Sequence, residues 1–218
     1  MNYLYSLQII YLSIFQPSKL FERFNRLSWY QNLLRQWIDE VDIVPKSRLL
    51  EIGSATGVLS GYLSEKYEVI SVDNSSTMIA RSKENYPHID FQVIDASSMP
   101  FKDQCFDVVV ASSLINLVDN KEEILNEMLR VCKIDGKVLL LFPLEGFSDD
   151  GFLKASFDLQ LKGFSKMALK MWHKLAKKMS VDDIDALLKE SDFEIVSTKN
   201  YLGGMVATVV IGSKTNKI

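Results

Sequence analysis

The sequence predicts an α/β fold: a doubly wound, mostly parallel sheet of seven strands that ends in an antiparallel hairpin. Three observations lead to it. Short apolar runs alternate with stretches of helical period between residues 47 and 142. A turn with two glycines, Gly53-Ser54-Ala55-Thr56-Gly57, directly follows the first run. Near the end, two β-rich runs are joined by little more than Gly203-Gly204.

Taken in order, Ser28 followed by Gln31 reads as a capping box opening a helix over residues 29–41. Its apolar residues Tyr30, Leu33, Leu34, Trp37 and Val41 share one face, and Pro45 closes the region. Strands are expected over residues 47–52, 68–72, 90–94 and 106–111, with helices over 58–67 and 76–85. Asn120 with Glu123 caps a helix running to about Cys132, Asp135-Gly136 reads as a turn, and residues 137–142 form a fifth strand. Apolar strands separated by single helices mean a parallel sheet covered on both faces. Ser180 with Asp183 opens a last helix reaching about Glu190, followed by strands over 193–199 and 205–211. Their linker is too short for a parallel crossover, so this pair must be antiparallel.

The 218 residues allow one well-buried domain and a small appendage. A net charge of −3 gives the molecule no overall electrostatic footprint for nucleic acid. Cys105 and Cys132 stand alone, with only two histidines in the chain, which argues against a metal site or a disulfide framework and suits a reducing cytoplasm. Residues 1–15 carry no charge. They lack the basic start and small-residue cleavage site of a signal peptide, and are shorter than the ~20 apolar residues of a spanning helix. They read as a helix packed on the domain or on a second subunit, with loose membrane association left open.

The glycine turn lies where a first strand hands over to a first helix, and in an open parallel sheet ligands bind at such strand ends. Gly53 and Gly57 allow a sharp turn and close approach, and the free N–H groups of the next helix favour an anionic group. Glu51 precedes the turn, Asp73 ends the second strand and Asp95 follows the third. A carboxylate at Asp73 can accept both hydrogen bonds of a ribose diol, and an acceptor at Asp95 can reach an exocyclic adenine amine. Each Asp alone would pass for a cap or turn residue; together with the turn they indicate a nucleoside site.

Residues 49–57, Val72-Asp73-Asn74-Ser75-Ser76-Thr77-Met78 and Ile94-Asp95-Ala96-Ser97-Ser98-Met99-Pro100-Phe101 resemble the successive motifs of class I S-adenosylmethionine (SAM)-dependent methyltransferases. Phe106-Asp107-Val108-Val109-Val110-Ala111-Ser112 and Glu127-Met128-Leu129-Arg130-Val131-Cys132-Lys133 with Asp135-Gly136 are similar to that family's fourth-strand motif and the turn before its fifth strand. The resemblance implies a Rossmann-like methyltransferase fold with SAM as cofactor. It assigns Gly53, Ser54 and Gly57 to the methionine moiety, Glu51 to the loop and the ammonium, and Asp73 to the ribose. Asn74, Asp95 and Ala96 fall to adenine, and the backbone carbonyl of Ser112 to the ammonium. Ala55 departs from the family's frequent glycine, which implies an altered fit; Lys133-Ile134-Asp135-Gly136 replaces a common Pro-Gly-Gly turn.

The implied organisation is an N-terminal helical cap (1–44), a SAM-binding core (45–144), a helical insertion acting as lid (145–179) and a closing helix and strand pair (180–218). No catalytic base stands out. His88 reads as an exposed loop residue and His173 as solvated within a lysine-rich helical face; Asn116, after the fourth strand, is the one weak candidate for a catalytic role. The N-terminal segment with Phe21, Phe24, Trp29 and Tyr30, and the insertion with Phe164 and Met171, are the candidates for the acceptor pocket. On a helical wheel Lys162, Lys166, Lys170, Lys174, Lys177 and Lys178 occupy one half, opposite Leu161, Phe164, Ala168, Met171, Trp172, Leu175 and Met179. Three readings of this basic amphipathic helix stand side by side: a lid with a solvated lysine face, a helix on anionic lipid, or a docking surface for an acidic partner or substrate. The expected activity is methyl transfer to a small, partly apolar or amphiphilic acceptor, by proximity and orientation; the oligomeric state is open, a homodimer included. The rivals are a nicotinamide-dependent oxidoreductase, disfavoured by the missing Gly-x-Gly-x-x-Gly, and a non-catalytic nucleoside- or partner-binding module.

Overall fold

The computed structural model describes Tyr11 and residues 17–214. The helix expected within residues 1–15 lies outside this description apart from Tyr11, as does the side chain of Phe21. Two helices, α1 (Pro17–Asn25) and α2 (Ser28–Asp39), precede an alternating core. The core runs β1 (Arg48–Ile52), α3 (Val58–Leu63), β2 (Glu68–Asp73), α4 (Ser76–Asn85), β3 (Asp90–Val93), β4 (Phe106–Ser112), α5 (Lys121–Val131) and β5 (Cys132–Pro143). Helices α6 (Asp149–Asp158) and α7 (Gly163–Leu175) follow, then α8 (Val181–Leu188), β6 (Phe193–Tyr201) and β7 (Val206–Ser213).

The strands form one seven-stranded sheet in the order β3-β2-β1-β4-β5-β7-β6. β1 through β5 pair in parallel, while β7 runs antiparallel to both β5 and β6. The order reverses between β1 and β4, which opens a crevice at their carboxyl ends. Strand alternation sends neighbouring residues to opposite faces. Leu50, Ile52, Val109, Leu140 and Phe142 pack on α5 and α8 through Ile124, Met128, Ile184 and Leu188. Leu49, Val108, Val110, Leu139 and Leu141 pack on the other side against Leu33, Leu34, Trp37, Leu59 and Leu63 of α2 and α3. Each fully buried side chain of this size contributes about 1.5–3 kcal/mol, so the sheet is held from both faces.

Several local expectations are corrected. The box at Ser28 does not form: α2 starts at Ser28 itself, with Leu27 as an uncapped N-cap, because Gln31 Nε2 donates to the Asn25 carbonyl instead. Asn120 caps no backbone amide; its Nδ2 donates to Glu123 Oε2. α3 ends at Leu63 rather than near residue 67. Asp135-Gly136 is not a free turn but lies in a bulged stretch of β5, between the pairs Phe106–Cys132 and Val108–Lys137. Gly136 is needed there, since a Cβ would stand 2.7 Å from the Asp107 carbonyl oxygen. The box at Ser180 and Asp183 forms as expected.

The lysine-rich insertion is two helices rather than one long amphipathic segment. At the end of α6, Gln160 takes a positive φ of 51°, its N–H bonds to the Phe157 carbonyl and that of Leu161 to the Ser156 carbonyl. This is a Schellman stop, and it resets the helical phase before α7. α7 spans only Gly163–Leu175, so Lys162 precedes it and Lys177 and Lys178 follow outside any helix. Lys174 pairs with Asp149 at 2.7 Å and Lys177 Nζ lies 3.1 Å from the Leu117 carbonyl, so the six lysines share no single face. His173 is not solvated either. At 6% exposure it stacks on Phe152, with Nε2 3.1 Å from Asp149 Oδ1 and Nδ1 unpartnered. Among the described residues no helix is long and apolar enough to cross a membrane.

Candidate active site

The turn after β1 is fixed by the strand beside it. The Gly53 and Ser54 amides both donate to the Val72 carbonyl, at 2.8 and 3.0 Å. The Ala55 amide donates to Asp73 Oδ2 at 2.9 Å, while Asp73 Oδ1 accepts the Ser75 amide at 2.9 Å. Ser82 Oγ donates to the Ala55 carbonyl, and Asn85 Nδ2 to that of Thr56. Ala55 is thereby held at φ 47°, in the left-handed region where glycine is preferred. Gly57, at φ 81°, meets a packing demand: a Cβ would lie 2.8 Å from the Phe91 ring.

Glu51, 3% exposed, lies below this turn and accepts from the hydroxyls of Ser60 and Ser71. Burial pushes its carboxyl up to about 7, against the hydroxyl hydrogen bonds that favour the charge. Tyr30 is buried with its hydroxyl 3.4 Å from Ser112 Oγ, and burial likewise raises its phenol.

These groups border one cavity of about 560 Å³. Glu51, Gly53, Ser54, Asp73, Asn74, Ser112 and Tyr30 line it, as do Asn116 and Met171. Much of the remaining lining is apolar, including Leu20 and Phe24 of α1, Leu114 and Leu117 after β4, and Ala168, Trp172 and Leu175 of α7. Asn116 is buried, its Nδ2 donates to the Lys177 carbonyl at 2.9 Å, and its Oδ1 has no partner.

Other expected residues are placed elsewhere. Gly57 is absent from the lining and serves the turn. Asp95 is exposed, accepting from the backbone and hydroxyl of Ser97, and neither it nor Ala96 borders the cavity. Trp29 stands one layer back, 5.3 Å from the Phe24 ring and 5.7 Å from that of Trp172. Phe164 lies outside the lining, beneath the Arg23 guanidinium at 3.9 Å. Sequence reasoning missed Asn25, Ser113, Met78 and Leu117, all of which line the cavity. Leu117 alone carried a signal, as an apolar residue in the loop after β4; the others come together only through the fold.

Residues 50–140 match the family described as "Methyltransferase domain". The chain is 36% identical over 111 residues to a demethylmenaquinone methyltransferase of Renibacterium salmoninarum, covering 49% of this chain and 47% of that one. Similarity to a phosphatidylethanolamine N-methyltransferase of Cereibacter sphaeroides is 34% over 100 residues, or 43% and 49% of the two chains. The chain thus spans about half the length of these curated relatives. A SAM-dependent methyltransferase from Thermotoga maritima superposes with a TM-score of 0.64 at 18% identity, over 94% of this chain and 98% of the other. Residues 50–140 thus match a methyltransferase domain, set in a fold shared with SAM-dependent methyltransferases.

The cavity of this methyltransferase domain fits that cofactor. Each Asp73 oxygen accepts one backbone N–H, which leaves lone pairs free for a ribose diol. Ser54 Oγ and Ser113 Oγ are buried without partners on residues lining the cavity. No group of His, Cys, Asp and Glu among the described residues could hold a metal ion.

Proposed function

We propose that the protein transfers a methyl group from SAM to a small acceptor with an apolar body. The observation that carries this is one cavity whose lining joins the polar groups Glu51, Asp73 and Asn74 to the apolar side chains Leu114, Leu117, Met171 and Trp172. Bound SAM supplies an electrophilic methyl group on a sulfonium centre. Asp73 would hold the ribose hydroxyls, Glu51 and the Ser112 carbonyl the ammonium, and Gly53 and Ser54 the methionine chain. Asn74 would flank adenine, with Asp95 and Ala96 at its outer edge.

Among the described residues the titratable groups of the lining are Tyr30, Glu51 and Asp73; the two carboxylates would be committed to the cofactor and burial raises the Tyr30 phenol, so proximity and orientation carry the reaction. Leu114, Met171, Trp172 and Leu175 would exclude water from the acceptor. Because the Lys177 carbonyl can only accept, it fixes the Asn116 amide and leaves Oδ1 to orient an O–H or N–H of the acceptor. The relatives named for demethylmenaquinone and phosphatidylethanolamine support an acceptor with a large apolar part. Residues 145–179 would act as the lid over residues 45–144, with residues 1–44 as the second cap.

The test is incubation with methyl-labelled SAM and a panel of phenols, quinols and amines, each with and without an alkyl substituent. Label transfer favouring the alkylated members is the expected result. Transfer only to compounds without an apolar part would overturn the reading.

A further inference from the structure

Three consecutive residues at the end of α1 reach three different parts of the site. Asn25, 8% exposed, donates through Nδ2 to Thr56 Oγ1 at 2.8 Å, inside the turn that follows β1. The Phe24 ring lies 5.7 Å from Trp172 and 4.9 Å from Tyr30, both on the cavity wall. The Arg23 guanidinium covers Phe164 near the start of α7. Thr56 is itself buried, and its carbonyl is held by Asn85, so its hydroxyl has a fixed position.

We propose that Asn25 is a positioning residue that couples the cofactor turn to the cap, so that filling the cofactor end of the cavity fixes α1, and α1 then sets the acceptor wall on α7. The proposal rests on the reading above. A turn held in one conformation by a ligand presents Thr56 Oγ1 constantly to Asn25, and a buried hydrogen bond of this kind is costly to leave unmade. With α1 seated, Phe24 holds α7 through Trp172 at the cavity wall, and Arg23 holds it through Phe164 outside the lining. Cofactor and acceptor sites are then linked through contacts that neither ligand makes.

Hydrogen–deuterium exchange of α1, with and without S-adenosylhomocysteine, tests this without any turnover. In the wild type the ligand slows exchange over residues 17–25. In Asn25→Leu and in Thr56→Val the ligand binds about three- to tenfold more weakly and α1 no longer responds. The double variant is no weaker than either single one, since both remove the same bond. Binding without any slowing at α1 in the wild type overturns the coupling alone, whether or not the variants fold. So does an unchanged affinity in Asn25→Leu. Failure of the wild type to bind the ligand overturns the proposed function, and the coupling with it.

Discussion

The Asp73 carboxylate accepts the Ala55 amide at 2.9 Å, and so ties the end of β2 to the turn after β1. One side chain therefore shapes the turn and faces the cavity. Asp73→Ala removes a charged acceptor from two backbone amides and from the expected ribose diol. Charge-assisted bonds contribute about 1.5–3 kcal/mol each, so affinity for S-adenosylhomocysteine falls by at least about tenfold. Isothermal calorimetry measures it; an unchanged affinity would remove Asp73 from the site.

Glu51 makes stability depend on pH. Its folded-state value of about 7 lies above the ordinary 4.5, so the native state keeps a proton that the unfolded state has lost between those values. The contribution is fully present below 4.5 and is lost as pH rises through 7. Glu51→Gln therefore melts at a higher temperature than the wild type at pH 8, with the difference shrinking toward pH 5. A cationic ammonium beside Glu51 favours the charged form, so ligand binding at pH 6.5 releases a proton. Calorimetry in buffers of different ionisation enthalpy reads that release.

Two neighbours in the turn respond oppositely. Gly57→Ala combines a positive φ with a Cβ 2.8 Å from the Phe91 ring and lowers stability by about 1–3 kcal/mol. Ala55 already occupies the left-handed region, so Ala55→Gly relieves strain of about 1 kcal/mol and leaves stability equal or higher. Chemical denaturation of the two variants measures both signs.

Cys132 is buried, and burial pushes its thiol up to about 12, whereas Cys105 is partly exposed. A disulfide reagent at pH 8 titrates one thiol in the native protein and two in guanidinium chloride. Rapid native titration of both would contradict the burial of Cys132.

Much of the fold is legible in the chain because its signals are local. Apolar runs such as Leu139–Leu141 announce buried strands, and Gly203-Gly204 is too short for anything but a hairpin. The cofactor end of the cavity is legible for the same reason, since Glu51, Gly53 and Asp73 stand at strand ends in order. The acceptor end is not. Asn25 meets Thr56 across 31 positions and Asn116 meets Lys177 across 61, which no periodicity encodes. The lysine wheel holds only inside α7, where Lys166, Lys170 and Lys174 stand one turn apart; Lys162, Lys177 and Lys178 fall outside the helix, which ends sooner than its period suggests. His173 looked solvated among lysines, yet Phe147 and Phe152 enclose it from a preceding loop and helix.

The central claim is that this cavity holds SAM, and direct calorimetry with SAM, S-adenosylhomocysteine and NAD tests it most simply. Saturable one-to-one binding of the two adenosyl-sulfur ligands, with none for NAD, is the predicted result. Absence of S-adenosylhomocysteine binding, or equal binding of NAD, would contradict it.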